Sequence, residues 1–84
     1  MQNVSDAQLI AGLLERREPA LEELSQQYGR LVRKLLRELL SDPSDVEECA
    51  NDVLLAVWNS IPPHRPMNLP SYLCKLARRI GIDR

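Results

Sequence analysis

The sequence contains few glycines and few aromatic residues. Its 84 residues include no phenylalanine, only three glycines and 4% aromatic residues, whereas leucine is abundant. This composition favours helices over sheet. A chain of this length forms one domain with a small core and has no room for an enclosed active-site cleft.

Long apolar runs are absent as well. No segment approaches the eighteen or so consecutive apolar residues of a membrane span. The first five residues lack the basic and apolar segments of a signal peptide. We therefore expect a cytoplasmic protein with no membrane partner.

Cysteine and histidine, the usual ligands of zinc, are scarce. Cys49 and Cys74 belong to no CxxC pair, and His64 is the only histidine. A zinc site needs more ligands than these, so we expect reduced, buried thiols. The sequence also lacks a recognisable nucleophile–base pair and a glycine-rich phosphate loop. It therefore predicts no cofactor, no metal and no enzymatic activity.

The net charge of −1 conceals an asymmetry along the chain. Residues 1–63 contain six Lys/Arg and eleven Asp/Glu, whereas residues 64–84 contain five Lys/Arg and a single Asp. A basic C-terminal segment on an acidic body indicates contact with a polyanion at one end of the molecule.

The spacing of apolar residues predicts an all-α fold, a compact bundle of about four helices joined by short connections. Four prolines between residues 61 and 70 prevent a helix there. In the second helix, the three-four spacing selects Leu21, Leu24, Tyr28, Leu31 and Leu35, and Val32, Leu36 and Leu39 widen the stripe. The predicted helices cover about residues 5–17, 19–40, 44–60 and 71–84, the last beginning near Pro70 or Ser71.

Polar residues at the predicted helix starts indicate caps. Ser5 is a suitable N-cap for the first helix. For the third helix two arrangements are possible: Ser44 and Glu47 have the spacing of a capping box, and Asp42 before Pro43 is an alternative cap.

The third helix has an acidic face opposite its apolar face. Val46, Ala50, Val53 and Val57 lie on one side with Cys49 beside them. Leu55 projects into the middle of the opposite arc and Trp58 lies at its edge, which is typical of a docking surface for a basic partner. An ordinary solvated face with one stray leucine is the alternative. The polar residues of this arc are Asp45, Glu48, Asn51 and Asp52.

The last helix has a basic face instead. Leu73, Leu76, Ala77 and Ile80 form its apolar side. An aromatic ring beside cations suits a nucleic acid strand, although solvated charge is the alternative. The preceding loop is either a spacer or part of the same site, because its residues can donate hydrogen bonds to bases or phosphates. The residues concerned are Tyr72, Lys75, Arg78 and Arg79 on the helix and His64, Arg65 and Asn68 in the loop.

In this order, these features resemble region 2 of bacterial sigma factors, specifically the extracytoplasmic-function (ECF) group. The segment from Asp45 to Trp58 is similar to the family pattern D-A-E-D-[LIV]-x-Q-[ED]-[VT]-F-[LI]-x-[LVA]-W, and the segment from Tyr72 to Asp83 to W-L-x-x-I-A-x-N-x-A-I-D. The segments from Tyr28 to Val32 and from Asp6 to Ile10 resemble the family's second helix and its usual start.

The resemblance implies two activities. The acidic helix would dock on the clamp helices of the RNA polymerase β′ subunit, with Asp45, Glu48, Asn51 and Asp52 as polar contacts and Leu55 and Trp58 as apolar support. The loop and last helix would recognise and open the promoter −10 element and capture a base flipped from the non-template strand. The implied DNA-binding residues are His64, Arg65, Asn68, Ser71, Tyr72, Lys75, Arg78 and Arg79.

Four positions depart from the family patterns. Asn51 replaces the usual Gln, Leu54 the usual Phe, Tyr72 the usual Trp and Arg79 the usual Asn. By resemblance, an anti-sigma protein is a possible further partner. We expect residues 1–84 to be a single region 2 domain, excised from a protein whose other domain, a helix-turn-helix, reads the −35 element. An unusually short natural protein is the alternative.

A helical adaptor that binds polymerase or a regulator without touching DNA is the alternative function. It predicts that neutralising Lys75, Arg78 and Arg79 leaves activity unchanged, whereas the sigma interpretation predicts loss of promoter opening with docking retained.

Overall fold

The computed structural model describes residues 4–83 as an all-α bundle of four helices, as predicted. Helix α2 packs against α1, α3 and α4, and α3 also packs against α4. The bundle measures 35 × 30 × 20 Å. The helices are α1 (Asp6–Leu14), α2 (Glu18–Leu39), α3 (Pro43–Ser60) and α4 (Leu69–Asp83).

Helix α1 begins where the sequence predicts and ends earlier. Ser5 is its N-cap in a capping box: the Ser5 hydroxyl accepts from the Gln8 amide at 3.1 Å, and the Gln8 side chain accepts from the Ser5 amide at 3.0 Å. The predicted extension to residue 17 is wrong, because Arg16 has a φ of 60° and turns the chain out of the helix.

Asp42 caps α3, which resolves the two arrangements left open by the sequence. Its side chain accepts from the Ser44 amide at 2.8 Å, and Pro43 occupies the first helical turn, where the missing N–H has no cost. Glu47 does not complete a capping box with Ser44. Its carboxylate accepts instead from Arg33 Nε on α2, at 2.9 Å.

The loop before α4 is anchored at both ends. Ile61 is fully buried at the end of α3, and the Ile61–Pro62 and Pro62–Pro63 peptide bonds are cis. Helix α4 starts one or two residues earlier than predicted. Asn68 accounts for this start, because its side chain accepts from the Ser71 amide at 2.9 Å.

Each helix contributes leucine or valine to one core. A fully buried leucine stabilises the fold by about 1.5–3 kcal/mol. In α2 the buried residues are Ala20, Leu24, Val32 and Leu36. Val32 and Leu36, which the sequence pattern places beside the main apolar stripe, therefore contribute much of the core. Helix α2 contacts three other helices, and a face that wide is needed to cover them. The ten largest fully buried side chains are Leu9, Leu13, Leu24, Leu36, Ile61, Leu69, Leu73, Val53, Val57 and Cys49.

Candidate functional site

The acidic face of α3 lies opposite its core face, as predicted. Val46, Cys49, Ala50, Val53 and Val57 are buried. Leu55 is 56% exposed and adds an apolar side chain to the polar face of a helix that buries five residues on its other side. The acidic face is defined here as Glu48, Asn51, Asp52 and Leu55, all exposed, with half-buried Asp45 at its border.

Trp58 differs from its sequence-based interpretation as simple apolar support at the edge of this face. Its side chain is half-buried and packs against the core. The guanidinium of Arg16 lies over the ring, with Cζ 3.8 Å from the centroid. One face of the indole is therefore already covered by a cation from within the chain. A direct role of Trp58 in docking stays a prediction.

A groove borders the acidic face on the side of α2. Its floor is apolar and includes Leu21, Leu54 and Leu55, while Glu18 and Glu22 line it from the first turns of α2. Sequence reasoning missed these two glutamates as neighbours of the α3 face. Nothing in their local pattern indicates that contact, because it depends on how α2 and α3 pack.

The residues predicted to bind DNA separate into two groups. Arg65, Asn68 and Ser71 are exposed around the start of α4, and Arg78 is exposed further along the helix. The others line a cleft between the end of α3 and α4, hereafter the α3–α4 cleft. Its lining residues are Ala56, Ser60, His64, Tyr72, Lys75, Leu76 and Arg79.

The Tyr72 ring forms part of the wall of this cleft and is not freely exposed. It is half-buried, and its hydroxyl lies 2.5 Å from Ser60 Oγ. The His64 ring is 6.3 Å from the Tyr72 ring, tilted by 43°. The His64 amide also donates to the Ser60 carbonyl at 2.8 Å. The sequence did not single out Ser60, because its role depends on the contact of α3 with α4.

Two cationic side chains lie along one side of this cleft. Lys75 and Arg79, one helical turn apart on α4, are both exposed at its edge. The Tyr72 ring and the Leu76 side chain provide aromatic and apolar surface beside them. Such a combination can hold a planar base while the cations contact phosphates.

The contacts between helices shift the pKa of two ionisable side chains. Burial and the hydrogen bond to Asp6 raise the pKa of Tyr28. The hydrogen bond from Arg33 lowers the pKa of Glu47. Both side chains join helices, which places them in the framework of the bundle.

Residues 4–83 contain neither a cluster of metal ligands nor a helix that could span a membrane. This part of the chain brings together no three His, Cys, Asp or Glu side chains suited to a metal ion. None of its helices combines the length and the apolar character that crossing a bilayer requires. The Cys49 side chain is buried, as expected, whereas the expectation of burial is wrong for Cys74, which is only half-buried.

Comparison with known protein families identifies a match. A family model described as Sigma-70 region 2 matches residues 24–84, which is more than half of the chain. The match includes α3, the proline-rich loop and α4, and it begins within α2. Neither the curated proteins nor the solved structures gave a match.

Proposed function

The chain belongs to the sigma-70 region 2 family, and we propose that it docks on the RNA polymerase β′ clamp helices and opens the promoter −10 element. Membership itself implies a non-catalytic role in transcription initiation and promoter recognition, with RNA polymerase and promoter DNA as partners. Assignment to the ECF group, masking by an anti-sigma protein and action of residues 1–84 as one module are further parts of the proposal.

The observation that carries the proposal is a pair of oppositely charged surfaces on adjoining helices. The acidic face of α3 presents Glu48 and Asp52 beside the exposed Leu55. The α3–α4 cleft presents Lys75 and Arg79 beside the Tyr72 ring. A domain that must bind a protein and a polyanion at the same time needs such a separation, because otherwise one partner would repel or displace the other.

Docking would use the acidic face. Carboxylates at Glu48 and Asp52 accept hydrogen bonds from lysine or arginine on the partner, and these ion pairs mainly set orientation and association rate. Leu55 supplies the apolar contact that is buried on binding. Asn51 reaches one methylene less far than glutamine, so its contact requires a closer approach of the partner helix.

Opening of the −10 element would use the α3–α4 cleft. A base extruded from the duplex loses its stacking and pairing, and it must recover part of that free energy in a pocket. Tyr72, His64 and Leu76 offer ring and apolar surface for the base, while Lys75 and Arg79 attract the backbone of the single strand. Capture of the extruded base shifts the local equilibrium towards the open strand.

Docking is tested by titrating the chain with the isolated β′ clamp helices and following Trp58 fluorescence. We expect the wild type to bind and the Glu48→Lys/Asp52→Lys variant to lose at least tenfold in affinity with its circular dichroism spectrum intact. The matched control is Glu15→Lys/Glu38→Lys, which makes the same charge change at two exposed positions outside α3. Absence of binding by the folded wild type, or equal losses in both variants, would contradict docking by the acidic face.

The alternative adaptor function is tested on α4. The variant Lys75→Gln/Arg78→Gln/Arg79→Gln should lose promoter opening, measured by permanganate reactivity of unpaired thymines, while clamp binding is kept. Its matched control, Arg30→Gln/Lys34→Gln/Arg37→Gln, removes three exposed cations from α2. Unchanged opening in the α4 variant would favour the adaptor.

A further inference from the structure

Arg16 occupies a backbone position that normally favours glycine. At the end of α1, the Arg17 amide donates to the Gly12 carbonyl at 2.9 Å and the Arg16 amide to the Leu13 carbonyl at 3.0 Å, the pattern of a Schellman motif. Arg16 has the left-handed φ of 60° that this motif requires. A residue with a Cβ is disfavoured there relative to glycine, so the backbone gives no reason for an arginine.

The reason lies in the contacts of its side chain, which reaches the end of α3. The guanidinium stacks on the Trp58 ring at 3.8 Å. Its Nη1 atom donates to the backbone carbonyl of Trp58 and, at 3.3 Å, to that of Ile61. The C-terminal end of a helix attracts a cation, and a planar guanidinium can meet the ring and both carbonyls together, which the ammonium of lysine cannot.

The contacted segment leads directly into the α3–α4 cleft. Ser60 lies between the two carbonyls that accept from Arg16, and its hydroxyl meets Tyr72. Ile61 is fully buried, and the loop that carries His64 begins at the next residue. Arg16 therefore fixes the short stretch of backbone from which Ser60 and His64 reach the cleft.

We infer that Arg16 is a positioning residue for base capture, which makes the α1–α2 turn part of the framework of the DNA-binding site. This inference rests on the proposed function, and it extends the site to a segment that precedes the matched residues 24–84. Arg16 does not touch the DNA; it acts through the end of α3.

The experiment separates base capture from phosphate binding. A single-stranded oligonucleotide is first selected with the wild-type chain from a randomised pool. The affinity for this oligonucleotide is then compared with the affinities for copies that each have one abasic position. For each copy, the ratio of the affinity for the intact strand to that for the abasic strand reports base capture. The affinity for the abasic strand reports contacts with the backbone.

The variant Arg16→Gly removes the side chain and suits the left-handed turn. We expect it to remain folded, to bind the abasic copy as the wild type does, and to lose at least fivefold in the affinity ratio. Arg16→Lys, which keeps the charge, should behave in the same way. Arg17→Ala is the matched control: it removes the same charge one residue away, where the side chain makes only an exposed ion pair with Glu15 at 3.9 Å in the structure. It should retain the wild-type ratio.

Three results would overturn the inference. A wild-type ratio in folded Arg16→Gly would show that the cleft does not need this side chain, and a wild-type ratio in folded Arg16→Lys would show that it does not need the guanidinium contacts. Equal losses for intact and abasic strands would indicate a general structural role. If the wild type bound the intact and the abasic oligonucleotides equally well, there would be no base capture for Arg16 to support. That result would contradict the proposed function itself, and it is distinguishable because the wild type alone shows it.

Discussion

Tyr28 joins the first two helices through a single hydrogen bond. Its hydroxyl donates to Asp6 Oδ1 at 2.5 Å, and burial together with this bond raises the pKa of Tyr28. Because the pKa is higher in the folded state, this contribution to stability is complete below the unfolded-state pKa of about 10. It is lost as the pH rises through the folded-state pKa, when the phenolate forms beside the carboxylate.

The variant Tyr28→Phe tests this bond. We expect its free energy of unfolding to be lower by about 1 kcal/mol at neutral pH, the usual net value of one hydrogen bond. We also expect it to lose less stability than the wild type between about pH 9 and 11. Urea unfolding at a series of pH values measures both effects. Parallel alkaline profiles for the two chains would mean that the bond does not control the titration.

At two glycines we expect substitution by alanine to have opposite effects on stability. At Gly12 an added Cβ would lie 2.7 Å from the Cβ of Ala20, and neither atom can rotate away. At Gly29 it would meet only the Nη1 atom of Arg33, at 2.8 Å, the far end of a long side chain that can adjust.

We therefore expect Gly12→Ala to destabilise the protein by about 1–3 kcal/mol through overpacking of α1 on α2. Gly29→Ala should leave stability unchanged or raise it by up to about 1 kcal/mol, the gain in helix propensity. Chemical denaturation of both variants measures the difference. If Gly12→Ala were as stable as the wild type, α1 and α2 could not be in such close contact.

At the scale of the helix, the start of α3 depends on one side chain. Asp42 accepts from the Ser44 amide, whereas Ser44 and Glu47 do not form the alternative capping box. We expect Asp42→Ala to lower the free energy of unfolding by about 1 kcal/mol and Ser44→Ala to change it by less than half as much. Thermal unfolding of the two variants, with helix content from circular dichroism, measures this order. The reverse order would assign the cap to Ser44.

The two faces of α3 were predictable, and the contacts between helices were not. The period of α3 indicates which residues are buried and that Leu55 is exposed, because both follow from 100° per residue. The end of α1 was missed, since arginine gives no local signal of a left-handed turn. The place of Tyr72 in a cleft wall was missed because Ser60 reaches it from another helix. The faces of a helix are therefore determined by its own sequence, whereas the cleft is determined by how the helices pack.

At the scale of the whole molecule, the separation of charge predicts how DNA would approach. The segment before residue 64 is acidic and the segment from 64 onwards is basic, so we expect a DNA strand to be repelled by most of the body and attracted to α4. Binding that depends on a few phosphate contacts must weaken steeply with salt, because each contact releases counterions.

The salt dependence of single-stranded DNA binding is the quantitative test of this orientation. Each neutralised phosphate contributes about −0.7 to the slope of log affinity against log salt concentration. If Lys75, Arg78 and Arg79 each contact one phosphate, replacing all three with glutamine should reduce the magnitude of the slope by about two. The α2 control, with Arg30, Lys34 and Arg37 replaced, makes the same change in net charge and should reduce it far less, since those side chains lie on another helix. Equal reductions would mean that DNA responds to the net charge of the molecule and not to the face of α4.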